Sequence, residues 1–163
     1  MSTLHTTLAA ITYNRTRTLG TLDRALQEQS PPRVLGWRPG PGRAHVAWQL
    51  MHVAMTEELF ATERLVPGAT PAWPELVARF RGGSTPDDDI PSGDTIRRML
   101  AESREHLLAT LARFSDKDLG TIPEGLKERK LMMIDVLHIL MWHECHHQGQ
   151  AHITLNLYKA SQA

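Results

Sequence analysis

Only one cysteine, Cys145, is present, which excludes an internal disulfide framework or a multi-cysteine zinc finger and fits a reducing compartment. Net charge is absent as well, because 18 Lys plus Arg balance 18 Asp plus Glu. No global field draws the chain onto nucleic acid or an anionic membrane, and neither is expected as a partner. Long apolar runs are missing: the first twenty residues interleave Thr, His, Asn and Arg, without the stretch that a signal peptide or membrane span requires. The expected location is the cytoplasm. No internal repeat, low-complexity tract or sustained heptad points to a solenoid or coiled coil. With 163 residues and 41% apolar content there is enough for one substantial core but not two, so residues 1–163 are read as one domain.

The chain does contain four long stretches with helical periodicity. From Leu4 to Gln29, Leu8, Ile11, Leu19, Leu22 and Leu26 recur mostly at three- and four-residue steps. Four prolines and three glycines between Ser30 and Gly42 predict a loop. Arg43 to about Val66 has neither residue, and Trp48, Met55, Leu59 and Phe60 share a side while Glu57, Glu58 and Arg64 project elsewhere, predicting a second, amphipathic helix. Pro67 to Gly93 is a long crossing with one short helical piece at Glu75–Phe80. Asp94 is the expected N-cap of a third helix reaching Phe114, and a fourth runs from about Leu131 to Tyr158. These elements predict an all-α fold, a four-helix bundle with long crossover loops.

Nine histidines need a physical account. His143 and His147 lie four residues apart, so their directions differ by about 40° and both rings can face one ion. They sit inside the apolar stripe formed by Val136, Ile139, Leu140 and Ala151, where bundle metal sites place their ligands. His52, central in the second helix and facing inward with Trp48 and Met55, is the best third ligand for a divalent metal. His45 is too far along the axis and is expected at the cavity mouth; His146 is expected at the rim or supporting the ligands. His138 and His152 project to the solvated side, and His5 and His106 lack partners at ligand spacing. Cys145 is expected to be a packed thiol, and Trp37, Trp73 and Trp142 to pack, or else to line a pocket or dimer seam.

His143-Glu144-Cys145-His146-His147 also spells the H-E-x-x-H of zincin proteases. The extended protease form requires Gly and His three and six residues after the second ligand, whereas Gly149 and His152 follow at two and five. Glu144 projects about 100° from His143, towards a neighbouring helix.

The segment Leu137–Gln150 closely resembles the H-E-x-H-H-R-G-Q motif of the DinB/YfiT-like metalloenzymes, and Trp37-Arg38-Pro39-Gly40 followed by Trp48 and Leu50–Val53 resembles that family's tryptophan loop and first metal histidine. The Phe114–Leu119 stretch agrees. The resemblance implies a four-helix bundle with His52, His143 and His147 on zinc or nickel, commonly as a homodimer. It further implies a low-molecular-weight thiol of the bacillithiol or mycothiol type as cofactor in S-transfer or isomerisation, a detoxification or stress-response role acting on a small-molecule substrate. Gln148 replaces the family's frequent Arg. Two other readings are a hydrolase that uses metal-activated water and a non-catalytic metal-binding or stress protein.

Overall fold

The computed structural model describes residues 2–162, and among them every regular element is helical. In chain order these are α1 (Thr3–Leu26), α2 (Pro31–Gly36), α3 (Val46–Leu59), α4 (Pro74–Phe80), α5 (Gly93–Leu111) and α6 (Met133–Ala160). A π-helical turn, Phe60–Arg64, extends α3, and two 3-10 turns, Asp116–Asp118 and Glu124–Leu126, lie between α5 and α6. The long helices α1, α3, α5 and α6 pack on one another, α2 bridges α1 and α3, and α4 rests on α3. None of these helices is long and apolar enough to cross a membrane.

Two expectations about local structure fail for identifiable reasons. Ser30–Gly42 is not all loop: Pro31 and Pro32 occupy the first positions of α2, where a missing N–H costs nothing, and Val34 and Leu35 drive the turn into the core. The second helix has no solvated face. Every residue from Val46 to Leu59 is buried, Glu57 and Glu58 included, because α2, α4, α5 and α6 all pack against it. Element ends shift by a few residues elsewhere: α1 stops at Leu26, and α5 starts two residues early because Ser92, not Asp94, accepts the Thr95 N–H at 3.1 Å. α1 borrows part of its own cap from afar, as the Asp116 carboxylate accepts the N–H groups of Thr3 and Leu4, both at 3.0 Å.

His45 is not at a cavity mouth. It is fully buried as the N-cap of α3, where Nδ1 accepts the Trp48 N–H at 3.0 Å and Nε2 donates to the Asp87 carbonyl at 3.0 Å. Only the neutral ring makes both bonds, and burial, outweighing the Asp87 bond, lowers its pKa below 6.5. A depressed folded-state value means that this group's contribution is complete above 6.5 and is lost as pH falls through the lowered value. His45→Asn keeps a cap that cannot titrate. Between pH 7 and pH 5 the variant is expected to lose less stability than the parent in denaturant titrations of metal-free protein; equal losses would contradict the assignment.

Candidate metal centre

Three ring nitrogens, one each from His52 on α3 and His143 and His147 on α6, lie within 4.8 Å of one another. His52 Nε2 and His143 Nε2 are 3.0 Å apart, and the ring centroids are separated by 4.4 to 4.8 Å. The one-turn spacing on α6 presents two rings on one side, and α3 packed against α6 brings the third to meet them. The structure thus gathers His143 and His147, singled out by spacing, with His52, singled out by its inward place in the second helix.

Two of the rings are oriented by bonds at their far nitrogen. The Phe80 carbonyl closes α4, has no helical partner there, and accepts His52 Nδ1–H at 2.6 Å. Gln49, one turn before His52, accepts His147 Nδ1–H at 2.6 Å. Each bond leaves Nε2 with its lone pair exposed to the cluster, the tautomer that a metal ligand needs. Trp48 stacks on His52 with ring centroids 4.7 Å apart and planes 10° from parallel, and Thr56 Oγ1 stands 3.5 Å from His143 Nε2. Burial, reinforced by the neighbouring rings, pushes His143 and His147 down to about 3, and burial also lowers His52. At neutral pH the cluster is three uncharged imidazoles, a donor set that suits zinc, nickel, copper or ferrous iron.

Glu144 has a different task from the one its protease-like motif suggests. The residue is buried, and its carboxylate takes Arg15 Nε at 2.6 Å, Thr18 Oγ1 at 2.8 Å and Arg104 Nη2 at 2.5 Å. Glu57 closes the ring, accepting Arg15 Nη2 at 2.8 Å and Arg104 Nε at 3.0 Å. One member comes from each of α1, α3, α5 and α6. Burial raises the Glu144 pKa, but the two guanidiniums outweigh it and hold the carboxyl below its ordinary value of 4.5. The net-neutral quartet was invisible to helical projection, which put Glu57 on a solvated face.

The remaining sequence candidates fall elsewhere. His146 is exposed, stacks on Trp142 and contacts Gln150. His5 and His138 are also exposed. His152 is half-buried, set between Arg24 and Asn156, so it is less solvated than its projection suggested. His106, without a partner at ligand spacing, bonds the fully buried Glu58 at 2.9 Å. Cys145 is exposed, not packed, and partial desolvation of its thiol with the nearby Glu144 charge raises its pKa, which does not suit a nucleophile. Trp37 meets Tyr158 edge-on, Trp73 packs against the core, and Trp142 is 60% exposed.

Two cavities flank the cluster. One, of about 320 Å³, has His52, His143, Thr56, Arg64, Arg81 and Arg129 in its wall. The other, of about 480 Å³, lies beside Trp48 and Gln49 and includes Arg43, Ile153 and Leu157. Neither wall contains an Asp or Glu among the described residues. Sequence reasoning missed the arginines because they come from three separated segments; Gln49, a polar residue one turn before His52, was the one local signal for the orienting contacts.

The family model described as the DinB superfamily matches residues 10–151, a span that includes all three clustered histidines. No curated protein matches the chain.

Proposed function

The chain belongs to the DinB superfamily, and from that premise we propose that it binds one divalent ion, zinc or nickel, through His52, His143 and His147 and transfers a low-molecular-weight thiol to a small electrophile. The observation that carries this reading is the set of three neutral imidazoles, two fixed by the Phe80 carbonyl and Gln49, beside a cavity without a carboxylate. A bound ion would supply a Lewis acid able to lower the pKa of a thiol ligand.

The chain's own residues support thiol over water as the nucleophile. Hydrolysis of the zincin kind needs a free glutamate as general base, and Glu144 is spent on Arg15, Thr18 and Arg104. A thiol needs no such base once its proton has gone to solvent. Transfer then forms a sulfur–carbon bond while the electrophile's leaving group departs with its electron pair. Gln148, where the family often has Arg, donates to Thr21 Oγ1 at 2.9 Å, and it is absent from both cavity walls, so anion recognition does not rest on that position. A homodimer is part of the same reading, supported by Trp142, Ile153 and Leu157, which are exposed on one side of α6, and the cytoplasm is its expected location.

Tag-free protein is expected to contain near one equivalent of metal, and the loaded protein to consume bacillithiol or mycothiol in the presence of an alkylating electrophile. Loaded protein that neither binds nor consumes either thiol would overturn the transferase assignment.

A further inference from the structure

We propose that Arg64, Arg81 and Arg129 form an oxyanion subsite, which takes a carboxylate or phosphate group of the small molecule whose other end reaches the three histidines. The placement beside a metal rests on the function proposed above; the anion subsite itself does not.

The three guanidiniums come from unrelated parts of the chain. Arg64 ends the π turn after α3, Arg81 follows α4, and Arg129 lies between α5 and α6, yet all three border one cavity of about 320 Å³, a volume suited to a small organic molecule. Arg15, Arg38, Arg79, Arg97, Arg98 and Arg104 each pair with a carboxylate within 4.0 Å; among the described residues these three, like Arg17, Arg24, Arg33, Arg43 and Arg113, do not, and they are set apart by lining one cavity together. Burial lowers the Arg64 pKa, and so do the charges of Arg129 and Arg81; the adjacent, exposed Glu63 offsets this in part. A cluster of mutually repelling cations with no acid in its wall is a site whose charge an anionic ligand would neutralise.

The subsite is also built to hold its shape. The Arg64 guanidinium lies over the Phe60 ring, 4.3 Å from its centroid. Gly125, four residues before Arg129, fits so closely against the π turn carrying Arg64 that a Cβ there would collide with the Glu63 carbonyl oxygen. At the other wall, a Cβ on Gly82 would come within 3.8 Å of His52 Cε1, so the arginine cavity and the histidine cluster are contiguous. The larger cavity has one arginine, Arg43, among uncharged neighbours and suits the uncharged partner of a reaction.

The test is calorimetric titration with inorganic phosphate and, separately, succinate, at low and fixed ionic strength, on metal-free and metal-loaded protein. Arg81→Gln and Arg129→Gln alter exposed side chains and are expected to fold as the parent does; Arg98→Gln, away from the cavity, is the control. The expected result is saturable binding of one anion, weakened about tenfold by each cavity substitution and not by the control, with metal content unchanged. The tighter of the two anions distinguishes a phosphate from a carboxylate ligand. Absence of binding by the parent, or binding indifferent to both cavity variants, overturns the subsite. Metal content separates the two ideas: arginine-dependent anion binding by a chain that takes up no metal keeps the subsite and removes the metal reading, and a metal-replete chain that binds neither anion does the reverse.

Discussion

Glu144→Ala is expected to destabilise the protein by about 3–5 kcal/mol, the cost of stranding buried charge, and to lower Tm by roughly 10 °C in a chain of this size. The magnitude follows from the position of its partners. The Arg15 and Arg104 side chains are each 9% exposed, Glu57 5% and Glu144 2%, so after removal of Glu144 one carboxylate must serve two guanidiniums that water scarcely reaches. Backbone carbonyls already engage both arginines, Leu100 for Arg15 and Ile11 for Arg104, and they cannot supply the missing charge. Glu144→Gln, which keeps one accepting oxygen without the charge, is expected to fall between the parent and the alanine variant. Thermal melts of metal-free protein measure the effect apart from any ligand, and a Tm within 2 °C of the parent for Glu144→Ala would show that about 1 kcal/mol or less is at stake.

The second large effect concerns metal affinity. His143→Ala removes one of three nitrogens at the cluster, and the variant is expected to fall from about one equivalent of metal to none that survives dialysis against a weak chelator. Gln49→Leu leaves every nitrogen in place but releases the His147 ring from its 2.6 Å bond; loss of such an orienting contact is expected to weaken binding about 10–100-fold. The graded pair is informative because a histidine-rich core with no metal would respond to neither change. Elemental analysis with chelator competition reads both, and full retention of metal in His143→Ala would remove this residue from the proposed ligand set.

The histidine cluster was legible because its physics is local. Four residues on a helix set the relation of His143 to His147, and a stretch free of Pro and Gly set His52 in the middle of another helix. The all-α class followed from the same periodicity. What escaped depends on neighbours that a projection does not contain. Glu57 looks solvated on its own helix and is buried because α3 is enclosed by others; His45 looks like a spare imidazole until Asp87, distant in sequence, arrives at its Nε2. Pro31 reads as a breaker unless it is recognised as a first-turn residue. The arginine cavity draws on positions 64, 81 and 129 and carries no local pattern at all.

α6 has a consequence for the order of events during synthesis. It carries His143, His147 and Glu144, packs along α1, and is the last of the long helices to leave the ribosome. Until it emerges, α1 has no partner for much of its buried face, and Arg15 and Arg104 have only Glu57 between them. Assembly therefore waits on contacts between residues more than a hundred positions apart, which favours slow, late closure over stepwise growth from the N-terminal end. A nascent chain arrested before residue 133 should remain protease-sensitive and apt to be held by chaperones, and the metal site and the charge quartet should appear together, in one cooperative step.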